Sequence, residues 1–350
     1  MIWKNAELFN VEELVPYRDE YIKPRGVKCE DPEGRKGYLM SRIPDAVRVQ
    51  CEEGMQCQAF ECSNVEIRFN IRSGAARIKL YSPCHAGLAT VAEVRYGSFP
   101  GVYQFVTSTG KVETIEVSMP EQVEKWKKVA DLSGMEFDPS LVRVLLPYNS
   151  PSILVDIEGD ITPPRPEQVP QMRFLSYGSS ITHGLNSSLA KDSYVSRIAR
   201  SLRVDGYNKG FGGACTIDPA MADYMAGKDV DFLTLELGIN VLGWEDGKFA
   251  DRVGYMLDTI VKKSPAKHIF VTDLFWFFGD YDGDETPDRF RRIVADKARG
   301  FDPARVTYIP GKPILTSPDS LCVDMLHPSN RGQGEIADRF TAVIREKMGL

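Results

Sequence analysis

Hydrophobic and polar residues alternate with a period of two through residues 65–72: Val65, Ile67, Phe69 and Ile71 on one parity, Glu66, Arg68, Asn70 and Arg72 on the other. That period predicts a strand with one buried and one wet face. Ser73-Gly74 reads as a turn, after which Ala76, Ile78 and Leu80 resume the alternation. Shorter strand candidates follow at residues 91–94, 102–106, 112–119, 142–146 and 152–157. Gly, Pro, Asn and Ser punctuate them at roughly ten-residue intervals, as in an antiparallel sandwich. The series predicts a β-sandwich (jelly-roll-like) domain over residues 1–160. Residues 11–15, stopped by Pro16, and residues 121–129 read as short helices. Val47, Val49 and Cys51 keep a period of two, so Cys51 reads as a buried strand residue.

The pattern breaks at residues 161–171, where Pro163, Pro164, Pro166 and Pro170 fall close together. Proline removes backbone donors and stiffens the chain, so this stretch is placed as a linker. Beyond it strands and helices alternate. Strands are expected at 173–177, 205–211, 230–237, 268–275 and 306–309, and helices at 193–202, 219–226, 249–262, 287–298 and 336–348. Such alternation implies a parallel sheet covered on both faces, here a three-layer, flavodoxin-like α/β domain over residues 172–350.

Composition narrows the class. A length of 350 residues suits two domains, and 43% hydrophobic with 26% charged residues is globular. A net charge of −6 argues against nucleic acid as partner. No run approaches the ~18 apolar residues of a membrane span, and the first residues lack the pattern of a signal peptide. The seven cysteines include Cys51, Cys57 and Cys62, whose spacing matches no zinc pattern. A reducing, cytoplasmic setting is the expectation, with no membrane partner.

The candidate chemistry lies at the expected strand ends: Gly178-Ser179-Ser180, Gly210-Phe211-Gly212-Gly213 and Gly238-Ile239-Asn240, with Asp324-Met325-Leu326-His327 near the chain end. In a parallel sheet the carboxyl ends of the strands share one edge. A serine hydroxyl needs a base, and the base needs an orienting carboxylate. Ser180, His327 and Asp324 supply those types. The N–H groups of Ser180 and Gly213 and the side-chain amide of Asn240 are the candidate oxyanion donors, with Gly212 as the alternative glycine. Ser179 is the rival nucleophile. His183 is a rival base or a pocket residue.

These four blocks, in this order from about residue 173 onward, resemble the SGNH (GDSL) hydrolase family. The resemblance implies Ser180 as nucleophile, His327 as base, Asp324 as its partner, and Gly213 and Asn240 in the oxyanion site. Two positions depart from the family pattern: Ser179 stands where Gly-Asp-Ser has its aspartate, and Val241 follows the Gly-x-Asn block. The Gly-x-Ser-Ile-Thr form is similar to that of two-domain carbohydrate esterases with an N-terminal sandwich. The expected function is a serine esterase hydrolysing small acyl esters, acetyl foremost, on a small molecule or acylated saccharide. An acyltransferase using the same triad and a non-catalytic carbohydrate-binding protein are the alternatives. No metal or organic cofactor is expected, and the oligomeric state is left open. Trp244 and Trp276, with Phe277 and Phe278, are expected either to wall the acyl or sugar pocket or to pack against the sandwich. Tyr96, Phe99, Tyr103 and Trp126 are candidates for stacking on sugar in the first domain. The spacing Asp280, Asp282, Asp284 resembles part of a calcium loop but lacks its terminal bidentate glutamate.

Overall fold

The computed structural model describes residues 1–18, 21, 36–83, 91–107 and 110–350, with the backbone alone at 102–104. The chain divides into two units: Met1–Asp45 with Ala59–Gln171 and Leu189–Lys191, and Ala46–Gln58 with Met172–Ser188 and Asp192–Leu350.

The strands of the first unit, among the described residues, are β1 (Ile2–Trp3), β2 (Ala6–Phe9), β3 (Glu13–Pro16), β4 (Tyr38–Ser41), β5 (Glu66–Tyr81), β6 (Val91–Tyr96), β7 (Phe99–Val106), β8 (Glu113–Ser118), β9 (Leu141–Leu145) and β10 (Ile153–Thr162). They lie in the order β3-β4-β10-β5-β9-β6-β7; β2 and β8 also pair with β5, and β1 with β2. Ser73-Gly74 does not end the strand, because β5 continues through it as one element of 16 residues. The buried parity nevertheless changes there, from Ile67 and Phe69 to Ala76, Ile78 and Leu80. A one-residue slip would send half the strand's apolar residues to solvent. Bulges absorb it: the β10–β5 register shifts between Glu158 and Asp160 and again between Asp160 and Ile161, with Gly74 and Gly159 at positive φ. Before the bulge β5 pairs with β2 and β9, and after it with β8. A bent strand shared in this way turns the corner between the layers of a β-sandwich, closing a core that includes Leu8, Phe69, Ile78, Val144 and Leu154.

Three local expectations are corrected. Residues 11–15 are not helical; most of them enter β3, at the end of the pairing path, where a proline without an N–H is tolerated. Residues 47–51 are not a strand. Two short helices, α1 (Asp45–Arg48) and α2 (Glu53–Gln58), flank a buried Cys51, while Val49 is exposed; three residues are too few to define a period. Residues 161–171 are packed into the first unit. Ile161 and Thr162 complete β10, and the buried Gln168 side chain donates to Asn70 Oδ1 at 2.7 Å and to Ser140 Oγ at 3.0 Å. The helix expected at 121–129 is present as α3 (Val123–Ser133), closed by a left-handed Gly134.

In the second unit β11 (Arg173–Gly178), β12 (Asp205–Gly210), β13 (Phe232–Glu236), β14 (His268–Thr272) and β15 (Val306–Ile309) form a parallel sheet in the order β12-β11-β13-β14-β15. The helices are α4 (Ser180–His183), α5 (Tyr194–Leu202), α6 (Pro219–Ala226), α7 (Asp246–Lys263), α8 (Thr286–Arg299) and α9 (Asn330–Met348). Phe174, Phe232 and Phe270 pack with α5 and α9 in one core. The intervening Leu175, Leu233 and Val271 are equally buried, and α6, α7 and α8 pack in a row. A sheet covered on both faces needs apolar residues at both parities. This is the three-layer, flavodoxin-like arrangement. Among the described residues no helix is long and apolar enough to cross a membrane.

Candidate active site

β11 leads directly into Ser179 and Ser180. Ser179 caps the short helix α4, its Oγ accepting from Ile181 N–H at 3.1 Å, and Ser180 opens that helix. Glu236, the last residue of β13, reaches under this turn. Its Oε2 accepts from Ser179 N–H and from Ser179 Oγ, at 2.7 Å each, and from Thr182 Oγ1 at 3.1 Å. The Ser179 hydroxyl is thus engaged away from the nucleophile role. A Cβ on Gly178 would lie 2.2 Å from Thr182 Oγ1 and 2.6 Å from Glu236 Oε2, so only glycine fits. β12 is tied to the same turn by Asn208, whose Oδ1 accepts from Gly210 N–H at 2.8 Å and whose Nδ2 donates to Thr182 O at 2.7 Å.

The loop carrying Asp324 and His327 is pinched by a bridge between Leu321 and Pro328 and by Cys322 N–H donating to His327 O at 2.8 Å. Met325 takes a left-handed φ of 54° at its apex. Asp324 Oδ1 accepts from the N–H groups of Leu326 and His327, both at 3.0 Å. Its Oδ2 lies 2.8 Å from His327 Nδ1, and His327 Nε2 lies 2.7 Å from Ser180 Oγ. Asp324 is therefore not a helix cap; Ser329 caps α9. Partial burial works against ionising Asp324, but hydrogen bonds from His327 and Leu326 outweigh it and hold the carboxyl below its usual range.

Gly213 adopts φ +67°, a conformation that favours glycine. Gly212 borders Ser180: a Cβ there would lie 3.8 Å from Ser180 Cβ. Its N–H, however, donates to Gln58 Oε1 at 3.2 Å. Asn240 Oδ1 accepts from Cys215 N–H at 3.0 Å, which leaves its NH2 as the donor end. Sequence reasoning missed Glu236 and Gln58. Nothing local marked either one: Glu236 shares its expected strand with Asp231 and Thr234.

The other candidates make contacts of their own. His183 is buried, with Nδ1 at 3.2 Å from Gly210 O. Trp276 packs against the α5–α9 core and edge-on to Tyr281, 4.8 Å between centroids. Trp244 carries Lys248 Nζ 3.7 Å from its ring centroid. Asp280 pairs with Arg291 at 2.5 Å and Lys312 at 3.0 Å, while Asp282 and Asp284 accept from backbone N–H groups. The three carboxylates do not converge on a cation site. Trp126 packs on Tyr96 and Phe99, at 5.6 and 5.8 Å between centroids; the Tyr103 side chain lies outside the described residues.

The GDSL-like lipase/acylhydrolase family matches residues 176–334, the span that holds Ser180, Asn240, Asp324 and His327. The chain carries a GDSL-like hydrolase domain. It is an enzyme acting on ester bonds. None of the curated proteins matches the sequence. Among solved structures, the salicylyl-acyltransferase SsfX3 from a tetracycline biosynthetic pathway is similar with TM-score 0.74 and 15% identity, over 99% of this chain and 94% of that one. A GDSL-like lipase from Bacteroides ovatus gives TM-score 0.64 at 16% identity, over 98% of each chain. A family two carbohydrate esterase from Clostridium thermocellum, solved with cellohexaose, gives 0.60 at 16% identity, over 83% and 94%. At these identities the likeness is one of fold, and it takes in the N-terminal region as well as the GDSL-like domain.

Proposed function

We propose that the chain is a serine esterase that removes small acyl groups, acetyl foremost, from saccharide esters. The observation that carries the reading is the unbroken line Ser180 Oγ–His327 Nε2, 2.7 Å, and His327 Nδ1–Asp324 Oδ2, 2.8 Å. In this mechanism His327 takes the Ser180 proton as Oγ attacks the ester carbonyl, and Asp324 holds the ring and balances its charge. The N–H groups of Ser180 and Gly213 and the Asn240 amide receive the oxyanion. Collapse expels the alcohol, which leaves with the proton from His327. Water then attacks the acyl-enzyme by the same route in reverse. A saccharide substrate is supported by the likeness to a carbohydrate esterase solved with cellohexaose.

A second reading is acyl transfer, in which an alcohol replaces water. It is favoured by the likeness to a salicylyl-acyltransferase over 99% of the chain. Hydrolysis of p-nitrophenyl acetate, butyrate and octanoate tests both. Ser180→Ala is expected to lower kcat by at least about 10³-fold, and activity that survives it would discard the serine mechanism. Capture of most of the acyl group by an added alcohol, in preference to water, selects transfer.

A further inference from the structure

The GDSL pattern places a carboxylate next to the nucleophile in sequence, whereas this chain has Ser179 there. The structure supplies a carboxylate to the same turn from the neighbouring strand. We propose that Glu236 is a positioning residue for Ser180: a buried acceptor at the end of β13 that holds the Ser179–Thr182 turn in the one shape that sets Oγ against His327. This rests on the serine mechanism proposed above.

Three donors from two residues of the turn converge on one oxygen, Glu236 Oε2: Ser179 N–H, Ser179 Oγ and Thr182 Oγ1. Ser180 lies between those two residues, so its backbone is clamped on both sides. Thr182 Oγ1 is itself held by Tyr194 OH at 2.6 Å, and Gly178 has no room for a Cβ beside the carboxylate. The set is therefore interlocked. Glu236 is buried, and its Oε1 has no hydrogen-bond partner among the described residues. A buried carboxylate with one oxygen unsatisfied is costly to fold around. Burial pushes its proton affinity up, against the hydrogen bonds from Ser179 and Thr182. Packing alone would be served better by leucine or methionine. The retained cost is explained when the acceptor is needed to shape the nucleophile turn, where a displacement near 1 Å costs on the order of 10²-fold in rate.

The test compares Glu236→Ala, Glu236→Gln and Ser180→Ala with the unaltered full chain. The readouts are kcat and KM for p-nitrophenyl acetate, the rate of Ser180 labelling by a fluorophosphonate, and the melting temperature. Glu236→Ala is expected to lower kcat and the labelling rate together by about 10- to 100-fold, with KM within about twofold. Glu236→Gln keeps an acceptor in place and is expected to recover at least about tenfold of that loss. Glu236→Ala with kcat and labelling rate within twofold of the unaltered protein would overturn the proposal, as would a glutamine variant no better than alanine. Activity surviving in Ser180→Ala overturns this inference and the esterase reading together. Activity lost there but kept in Glu236→Ala overturns this inference alone. If Glu236→Ala does not fold, Thr182→Val and Ser179→Ala each remove a donor. Both are then expected to lower kcat by about three- to tenfold at constant KM, and unchanged kcat in both overturns the proposal.

Discussion

The Asn240 amide has one end tied, since its oxygen accepts from Cys215 N–H. Its NH2 then has a fixed direction, which is what a preorganised oxyanion donor requires. Asn240→Ala is expected to lower kcat by about 10²–10³-fold with little change in KM, and steady-state kinetics giving a kcat within threefold of the unaltered protein would take Asn240 out of the oxyanion site. Asn240→Asp is not expected to rescue, because a carboxylate repels a developing anion. Gly178 acts by what it lacks. Gly178→Ala would force a Cβ against Thr182 Oγ1 and the Glu236 carboxylate and is expected to cost about 1–3 kcal/mol of stability, read as a shift of the urea midpoint. At this scale Ser180, Asp324 and His327 were legible because each stands in a short motif at a strand end or in the last loop. Glu236 was not, because the apolar run of residues 232–237 says nothing about which way its one acid points.

Strands and helices were legible where the period is long. Ser73-Gly74 reads as a turn in the sequence because the alternation resumes after it, whereas β5 continues through it. A period of two looks the same on either side of a bulge or a turn, and only the partner β10 tells them apart. β14 ends next to Asp273, whose carboxylate accepts from Gly311 N–H at 2.7 Å and from Tyr308 OH. Burial pushes this carboxyl up to about 6, whereas the unfolded chain releases the proton near pH 3.9. Between those values the folded protein holds a proton that the unfolded chain has lost. The contribution to stability is therefore full below about pH 4 and is lost as pH rises to about 6. Asp273→Asn removes this dependence. Urea unfolding at pH 4 and pH 6.5 is expected to show the unaltered protein losing stability relative to the variant on going to the higher pH; parallel curves would refute the assignment.

For the whole molecule, the second unit is not a contiguous half of the chain. Ala46–Gln58 clusters with residues beyond 172, and Gln58 accepts the Gly212 N–H near Ser180 across a separation of 154 residues. Gln58→Ala is expected to speed amide hydrogen exchange over residues 211–214 and to cost about 1 kcal/mol; unchanged exchange in the full chain would show that the bond is not held in solution. The sequence by itself determined the sandwich and the doubly covered parallel sheet, and it singled out Ser180, Asp324 and His327. Those features are written in local periodicity, in turn residues and in spacings of a few positions. Only the tertiary structure decided that Ser180 and His327, 147 residues apart, meet at 2.7 Å. It also decided that Glu236 underlies the turn carrying Ser180 and that Gln58 reaches Gly212. Such contacts depend on which distant side chains share one packed interior, and pattern along the chain carries no record of that.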